Sequence, residues 1–202
     1  MRDAMDVARY LVRVGYDPNL PGDSVLTCPL RLQKLLYYCQ GWSLGLLGRQ
    51  LFRQPLEAWV DGPVVREVYE LFAGSSSGIL PDEIGAPIET FSDVEIALIQ
   101  MVWRKYAHLL PRELVNKTHT EPPWREARLD LPATTLSNTP LCLNTMKEFF
   151  ANEAQRLAIP KPGFAAISAA DTWKAEELYE RSGRTSIPAT DVFAELLSEC
   201  HS

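Results

Sequence analysis

The sequence predicts a mainly α protein, a single helical domain arranged around a central helix at about 29–47, with at most a small β element. Three observations lead to this fold class. Residues 29–47 are apolar around most of the helix circumference, which is typical of a helix in the middle of its domain. Helix start and stop signals recur along the chain. The alternation that marks strands is limited to a weak stretch at 56–60.

The first two helices are bounded by proline and glycine signals. An amphipathic pattern at 4–14 predicts a helix that ends at Gly15. Pro29 fits the first turn of the central helix, where its missing N–H costs nothing, and Gly48 ends that helix.

The middle of the chain carries further signals of the same kind. Pro63 follows an Asp-Gly pair and predicts the start of a helix at 63–72. Two prolines and poor alternation predict irregular structure at 80–91. Ser92 and Glu95 have the spacing of a capping box, which predicts a helix that continues to about residue 108.

Prolines also organise the last predicted elements. One of them opens a helix at 111–118, and the pair at 122–123 predicts an extended turn before a helical 124–128. Periodicity then predicts a helix at 143–157. Its expected buried residues are Leu143, Met146, Phe149, Phe150 and Leu157.

Composition changes near residue 159, where two prolines and a glycine suggest a linker. We therefore predict a domain at 1–158 and a C-terminal helical extension at 159–202. Helical patterns in the extension predict that it docks through Trp173 and Phe193.

Composition and charge limit the classes of function that the chain can have. The 202 residues carry a formal net charge of -6, so we expect no specific nucleic-acid binding of the kind that requires a basic excess. Apolar stretches are far shorter than the roughly 20 residues of a membrane span. The four cysteines form no close pair, which is consistent with a cytoplasmic protein whose thiols are reduced.

His119 is the one histidine in an unusual local sequence, Thr-His-Thr-Glu-Pro-Pro-Trp. A structural role is the first interpretation, and a partner contact and a catalytic base are the alternatives. Zinc-ligand spacings and phosphate-binding glycine motifs are missing from the sequence. We therefore expect no enzymatic activity, no metal and no cofactor, and an uncharacterised enzyme that uses His119 is the competing hypothesis.

Aromatic residues concentrate at 37–69, and Trp124 joins them only if the chain folds back. These rings either pack in the core or line a groove, since Trp and Tyr dominate interface hot spots. Lys34 interrupts the apolar central helix. Its amine is expected to reach solvent or to pair with Glu57 or Asp61.

Three sequence blocks occur in a specific order and spacing: LQKLLYYCQGWSLGLLGRQLF, EAWVDGPVVREVYELF and THTEPPWREAR. In these blocks the chain resembles the Panacea domain of the SocA-like antitoxins, formerly grouped as phage-associated GepA-type proteins. The resemblance runs from Asp6 to about Phe150. Two positions depart from the family pattern, because Cys39 replaces a more common alanine and Asp61 stands where an aromatic residue is common.

The resemblance implies an antitoxin of a bacterial or phage toxin–antitoxin system, encoded beside its toxin and neutralising it by direct protein contact. The alternative within the family is a proteolytic adaptor that delivers the toxin to an AAA+ protease. A DNA-binding autorepressor is a third class, but the basic stretches at 125–128 and 181–184 are both interrupted.

The family motif marks positions that are either structural or partner-binding: Lys34, Tyr37, Tyr38, Trp42, Gly62, Tyr69 and Thr118. We predict that the toxin contacts two turns whose rings are held next to prolines or glycine, because preorganised groups lose less entropy on binding. The predicted contacts are Glu57, Trp59, Asp61, Pro63, His119, Glu121 and Trp124. Asp61 and Glu121 are expected to be exposed, and their charge would suit a basic toxin.

Overall fold

The computed structural model describes residues 1–16, 27–73, 78–129, 131–132 and 134–159. The predicted C-terminal extension, with Trp173 and Phe193, lies outside the described residues. Within them the chain is mainly helical and holds one two-stranded sheet, as predicted. No helix in this part of the chain has both the length and the apolar character to span a membrane.

The elements follow one another in a simple order. They are α1 (Ala4–Gly15), α2 (Pro29–Trp42) with a π-helical continuation (Ser43–Leu47), β1 (Glu57–Trp59), β2 (Gly62–Val64), α3 (Arg66–Phe72), α4 (Pro81–Ile84), α5 (Asp93–Tyr106), α6 (Pro111–Thr120), α7 (Pro122–Arg128) and α8 (Leu143–Arg156).

Helix α2 is the central element. Every residue from Leu32 to Trp42 is buried, and α1, α3, α5, α6 and α8 all contact α2. Pro29 lies in its first turn, and Gly48 ends the π-helical continuation with a left-handed φ of 69°. The start and stop signals of this helix therefore act as predicted.

Two glycines allow α8 to approach α2 and its continuation. A Cβ atom built on Gly41 would lie 2.0 Å from the Phe150 ring. A Cβ atom on Gly45 would lie 2.6 Å from the Phe150 backbone carbon. Phe150 also meets the ring of Trp42 edge-on at 5.3 Å, so this contact joins two segments that are distant in the sequence.

An aromatic layer connects α2 to α5. The ring of Tyr38 stacks on Tyr106 with centroids 3.8 Å apart, and Trp42 Nε1 donates to Tyr106 Oη at 3.0 Å. Burying the indole with its donor satisfied avoids the cost of an unpaired polar group. Cys39 of α2 is a free, fully buried thiol.

The predicted helix at 63–72 is corrected at its start. Pro63 lies in β2, and the helix begins only at Arg66. The Pro63 carbonyl and the Val65 N–H are bonded to side chains of α2, which hold both residues in extended conformation. Contacts with a helix 30 residues earlier thus override the local preference of proline for a helix start.

Three smaller predictions also need correction. A short helix, α4, forms in the stretch expected to be irregular. The proline pair at 122–123 opens α7 rather than an extended turn, because prolines are tolerated in the first turn. Leu143 and Leu157 lie at the two ends of α8 and are exposed, whereas Met146 and Phe150 are buried as expected.

Candidate partner-binding site

Strands β1 and β2 form an antiparallel hairpin that brings most of the predicted contact residues together. The pairs are Glu57 with Val64, Ala58 with Pro63, and Trp59 with Gly62. Gly62 has a φ of 95°, which favours glycine. A Cβ atom on Gly62 would lie 2.6 Å from Thr118 Oγ1, so the hairpin lies directly against α6.

Side chains of α2 hold the outer edge of β2. Lys34 Nζ donates to the Pro63 carbonyl at 2.8 Å, and Gln33 Oε1 accepts from the Val65 N–H at 2.8 Å. These bonds satisfy the backbone groups that an edge strand would otherwise expose. The hairpin is therefore fixed to the central helix.

Side chains of α7 hold the other strand. Trp124 Nε1 donates to the Trp59 carbonyl at 2.9 Å, and Arg128 Nη1 donates to the Ala58 carbonyl at 3.0 Å. The chain thus folds back to bring Trp124 to the aromatic cluster. The indole of Trp124 is 7% exposed, so it belongs to the core.

His119 supports this contact. Its ring stacks on Trp124 with centroids 3.9 Å apart and a 12° angle between planes, and it shares a hydrogen bond with the Val60 backbone. Partial burial, and secondarily the charge of Lys34, lower the pKa of His119. His119 Nε2 is buried with no hydrogen-bond partner among the described residues.

Glu121 is buried, which contradicts its expected exposure. Its side chain accepts hydrogen bonds from Tyr37 Oη at 2.8 Å and from Tyr38 Oη at 3.2 Å, and Lys117 Nζ lies 3.4 Å away. Burial raises the pKa of the Glu121 carboxyl group, against the effect of these donors. The residue is buried because α7 begins next to two tyrosines of α2, a long-range contact without a local signal.

The structure also corrects the position expected for the Lys34 amine. Its side chain is fully buried, so the amine neither reaches solvent nor forms an ion pair with Glu57 or Asp61. Desolvation lowers the pKa of Lys34 to about 7, and the charge of Asp61 acts in the opposite direction. The amine therefore changes its charge near neutral pH while it holds the hairpin.

We expect Lys34 to make the protein more stable as the pH rises from 7 to 8.5. In this range the unfolded chain keeps the proton and the folded chain releases it, so the free energy of unfolding increases, by about 1–2 kcal/mol. The pH range ends at 8.5 because Cys39 and Tyr37 reduce the stability of the folded chain at higher pH. Burial raises the pKa values of both groups. Urea denaturation at several pH values measures the effect.

The control for this prediction is a second lysine. Lys34→Met keeps the volume of the side chain and should remove the increase, whereas Lys147→Met on the exposed surface of α8 should leave it intact. An unchanged pH dependence in Lys34→Met would show that the buried amine is not the titrating group.

The outer face of the hairpin carries an ordered aromatic pair. Trp59 meets Tyr69 of α3 edge-on at 4.8 Å, and the Arg66 guanidinium lies 5.2 Å from the Trp59 ring centroid. Glu57 accepts from Trp59 Nε1 at 2.7 Å and from Arg66 Nη2 at 2.7 Å. Asp61, at the tip, is exposed and pairs with Arg112 at 3.0 Å. The rings are therefore held in place while part of their surface faces solvent.

A groove of about 920 Å³ runs beside this pair. Its walls come from the hairpin, the start of α2, helix α3 and the loop that follows α7. The lining includes Trp59, Val64, Tyr69, Phe72 and Leu136. This volume is in the upper part of the range of about 300–1,000 Å³ found for ligand sites.

The structure thus sorts the predicted residues by position. Glu57, Trp59 and Asp61 lie on the outer face of the hairpin, and Tyr69 joins them there. The others support the hairpin or the core from below: Lys34, Tyr37, Tyr38, Trp42, Gly62, Pro63, Thr118, His119, Glu121 and Trp124. Sequence reasoning missed Arg128 and Leu136, and it marked Gln33 only as a position of the family motif. Arg128 had no distinguishing signal, because it is one of three charged residues in a short helix with the sequence PPWREAR.

The fold and this site define a helical scaffold that presents a rigid hairpin. Residues 32–125 match the family model described as antitoxin SocA-like, Panacea domain. The resemblance was expected from Asp6 to about Phe150, and the match confirms it for the segment from α2 into α7. This segment includes the central helix, the hairpin and the helices that hold it. Neither the curated proteins nor the solved structures gave a match to the chain.

Proposed function

We propose that the chain is an antitoxin that neutralises a cognate protein toxin by direct binding, and that the toxin is the product of a neighbouring gene. The membership of residues 32–125 in an antitoxin-like family supports the class of function. The observation that carries the mode of action is the outer face of the hairpin, where rings are held rigidly beside an open groove.

The central contacts of the interface are Trp59 and Tyr69. Aromatic anchors supply a large part of the binding energy at protein interfaces, and a ring that is already ordered loses little entropy on binding. Tyr69 is 38% exposed, so it offers surface to a partner. Asp61 and Glu57 supply negative charge around these rings.

The protein acts by binding in the cytoplasm and catalyses no reaction. One face of the His119 ring packs against Trp124, and the ring is tied to the Val60 backbone, which suits a support for the hairpin. Cys39 is fully buried in the core and is not accessible as a nucleophile.

Co-expression with the neighbouring toxin tests the proposal. The wild-type chain should restore growth, and Tyr69→Ala should weaken the complex about tenfold or more and reduce protection at limiting antitoxin levels, because truncating a hot-spot ring costs more than about 1 kcal/mol. Tyr16→Ala is the matched control, since Tyr16 is 41% exposed at the end of α1.

Two results would reject the proposal. One is toxicity that the wild-type chain does not reduce. The other is equal protection by wild type, Tyr69→Ala and Tyr16→Ala at every expression level, which would exclude the outer face of the hairpin from the interface.

A further inference from the structure

The loop between α7 and α8, residues 129–142, exposes three leucines. Leu129 is 82% exposed, Leu131 42% and Leu136 87%. Single exposed leucines need no explanation. Leu136, however, lines the aromatic groove, and Leu129 and Leu131 line a second pocket beside His119 and Trp124, so the loop adds exposed apolar surface at both places. We call the described residues of this loop, 129, 131–132 and 134–142, the leucine loop.

Arg128 ties the leucine loop to the hairpin. This side chain is 2% exposed, and its Nη2 donates to the carbonyls of Pro132 at 2.9 Å and Thr135 at 2.7 Å. Its Nη1 donates to Ala58 of β1. One buried guanidinium therefore bonds both segments, and such charge-assisted bonds are stronger than neutral ones.

Backbone bonds hold the far end of the same loop. The Ala58 N–H donates to the Thr139 carbonyl at 2.8 Å, and the Leu141 N–H donates to the Leu56 carbonyl at 2.8 Å. Residues 139–141 of the leucine loop thus run alongside β1, and Leu136 lines the groove together with Trp59 and Tyr69.

The leucine loop also lies outside the segment that matches the family model, which ends at residue 125. The Panacea domain therefore supplies one wall of the groove, with the hairpin and α3. The other wall comes from a part of the chain beyond the matched segment. A surface built in this way can combine a common scaffold with a contact that is specific to one partner.

The charge around the groove is negative. The carboxylates near the groove are those of Glu57, Asp61 and Glu70, and the arginines close to them are Arg66 and Arg112. Three carboxylates against these two guanidiniums leave a local charge of -1. An apolar groove with such a rim complements a segment that is apolar on one side and basic on its flanks.

We propose that the leucine loop and the hairpin together bind a basic amphipathic segment of the toxin, with its apolar side chains between Leu136 and the Trp59–Tyr69 pair. This inference rests on the proposed function and names the part of the toxin that is recognised. Helix-in-groove binding uses apolar side chains spaced along one face in this way.

The exposure of the apolar side chains that line the groove favours a protein segment over a small molecule as the bound partner. A pocket for a small ligand encloses 70–90% or more of the ligand surface, whereas here the wall residue Leu136 is 87% exposed and Tyr69 38%. Apolar side chains that are exposed to this extent become buried only when a larger partner covers them.

Site-specific photo-crosslinking tests this inference in the full chain, co-expressed with the neighbouring toxin. A photoreactive phenylalanine analogue replaces Leu136 in one variant and Ile88, which is 82% exposed, in the control. We expect a cross-link from position 136 to a toxin peptide that contains Lys or Arg and several apolar residues. The control position should give no such product.

The outcomes separate the two proposals. If the complex forms and protects cells but position 136 cross-links to residues 160–202, to a second copy of this chain or to nothing, the inference is wrong and the proposed function stands. If the wild-type chain forms no complex with the toxin, the proposed function fails and the inference fails with it.

Charge reversal tests the basic character of the bound segment. Glu70→Lys on α3 should slow association with the toxin several-fold at low salt, because steering depends on complementary charge. Glu148→Lys makes the same charge change on the exposed surface of α8 and should have little effect. Equal association rates for both variants and wild type would show that the bound segment is not basic.

Discussion

Replacing Gly45 by alanine is expected to lower the free energy of unfolding by about 3 kcal/mol or more. The new Cβ atom would lie 2.6 Å from the Phe150 backbone carbon and 2.8 Å from the Ala151 nitrogen. Both atoms belong to the backbone of α8, so the clash is relieved only by moving the helix. The loss is large against the total stability of about 5–15 kcal/mol for a domain.

Gly48→Ala is the matched control for this prediction. Gly48 has a left-handed φ of 69°, and a Cβ atom there would meet nothing within 4 Å. Its replacement should cost only the backbone strain of about 1–2 kcal/mol. Urea denaturation of both variants measures the difference. If Gly45→Ala were no more destabilising than Gly48→Ala, the close contact between α8 and the π-helical continuation would be wrong.

Replacing Glu121 by lysine should destabilise the protein by about 3–5 kcal/mol, the usual cost of breaking a buried charged network. The carboxylate accepts from Tyr37 and Tyr38, and both hydroxyl groups would lose their acceptor. The new ammonium group would also lie beside Lys117, whose amine is now 3.4 Å from Glu121. The measurement is again the free energy of unfolding.

Two variants identify the origin of this loss. Glu121→Gln keeps one acceptor oxygen and should be less destabilising than Glu121→Lys. Glu126→Lys makes the same charge reversal at an exposed position of α7 and should change stability by less than about 1 kcal/mol. A small effect of Glu121→Lys, similar to that of Glu126→Lys, would contradict the burial of this carboxylate.

Helix boundaries were predictable because their signals are local. Pro29 and Gly48 bound the central helix and its continuation, as expected from the geometry of those residues. Ser92 and Glu95 form the expected capping box, with Glu95 Oε2 accepting from the Ser92 N–H at 3.0 Å. Each of these signals depends on residues within one or two helical turns.

Features that depend on distant residues were not predictable from periodicity. Pro63 is extended because Lys34 and Gln33 bind the backbone around it, and these residues lie in a different helix. Glycine at positions 41 and 45 is required by Phe150, about a hundred residues later. The sequence therefore indicated the aromatic residues of the site but not the lysine, arginine and leucine contacts that complete it.

Calorimetric titration of the purified full chain into its purified toxin is the most direct measurement of the central claim, direct binding through the outer face of the hairpin. We predict saturable binding that Tyr69→Ala weakens about tenfold or more and Tyr16→Ala leaves unchanged. Suppression of toxicity in cells with no binding between the purified proteins would contradict the claim, as would equal affinity of wild type and Tyr69→Ala.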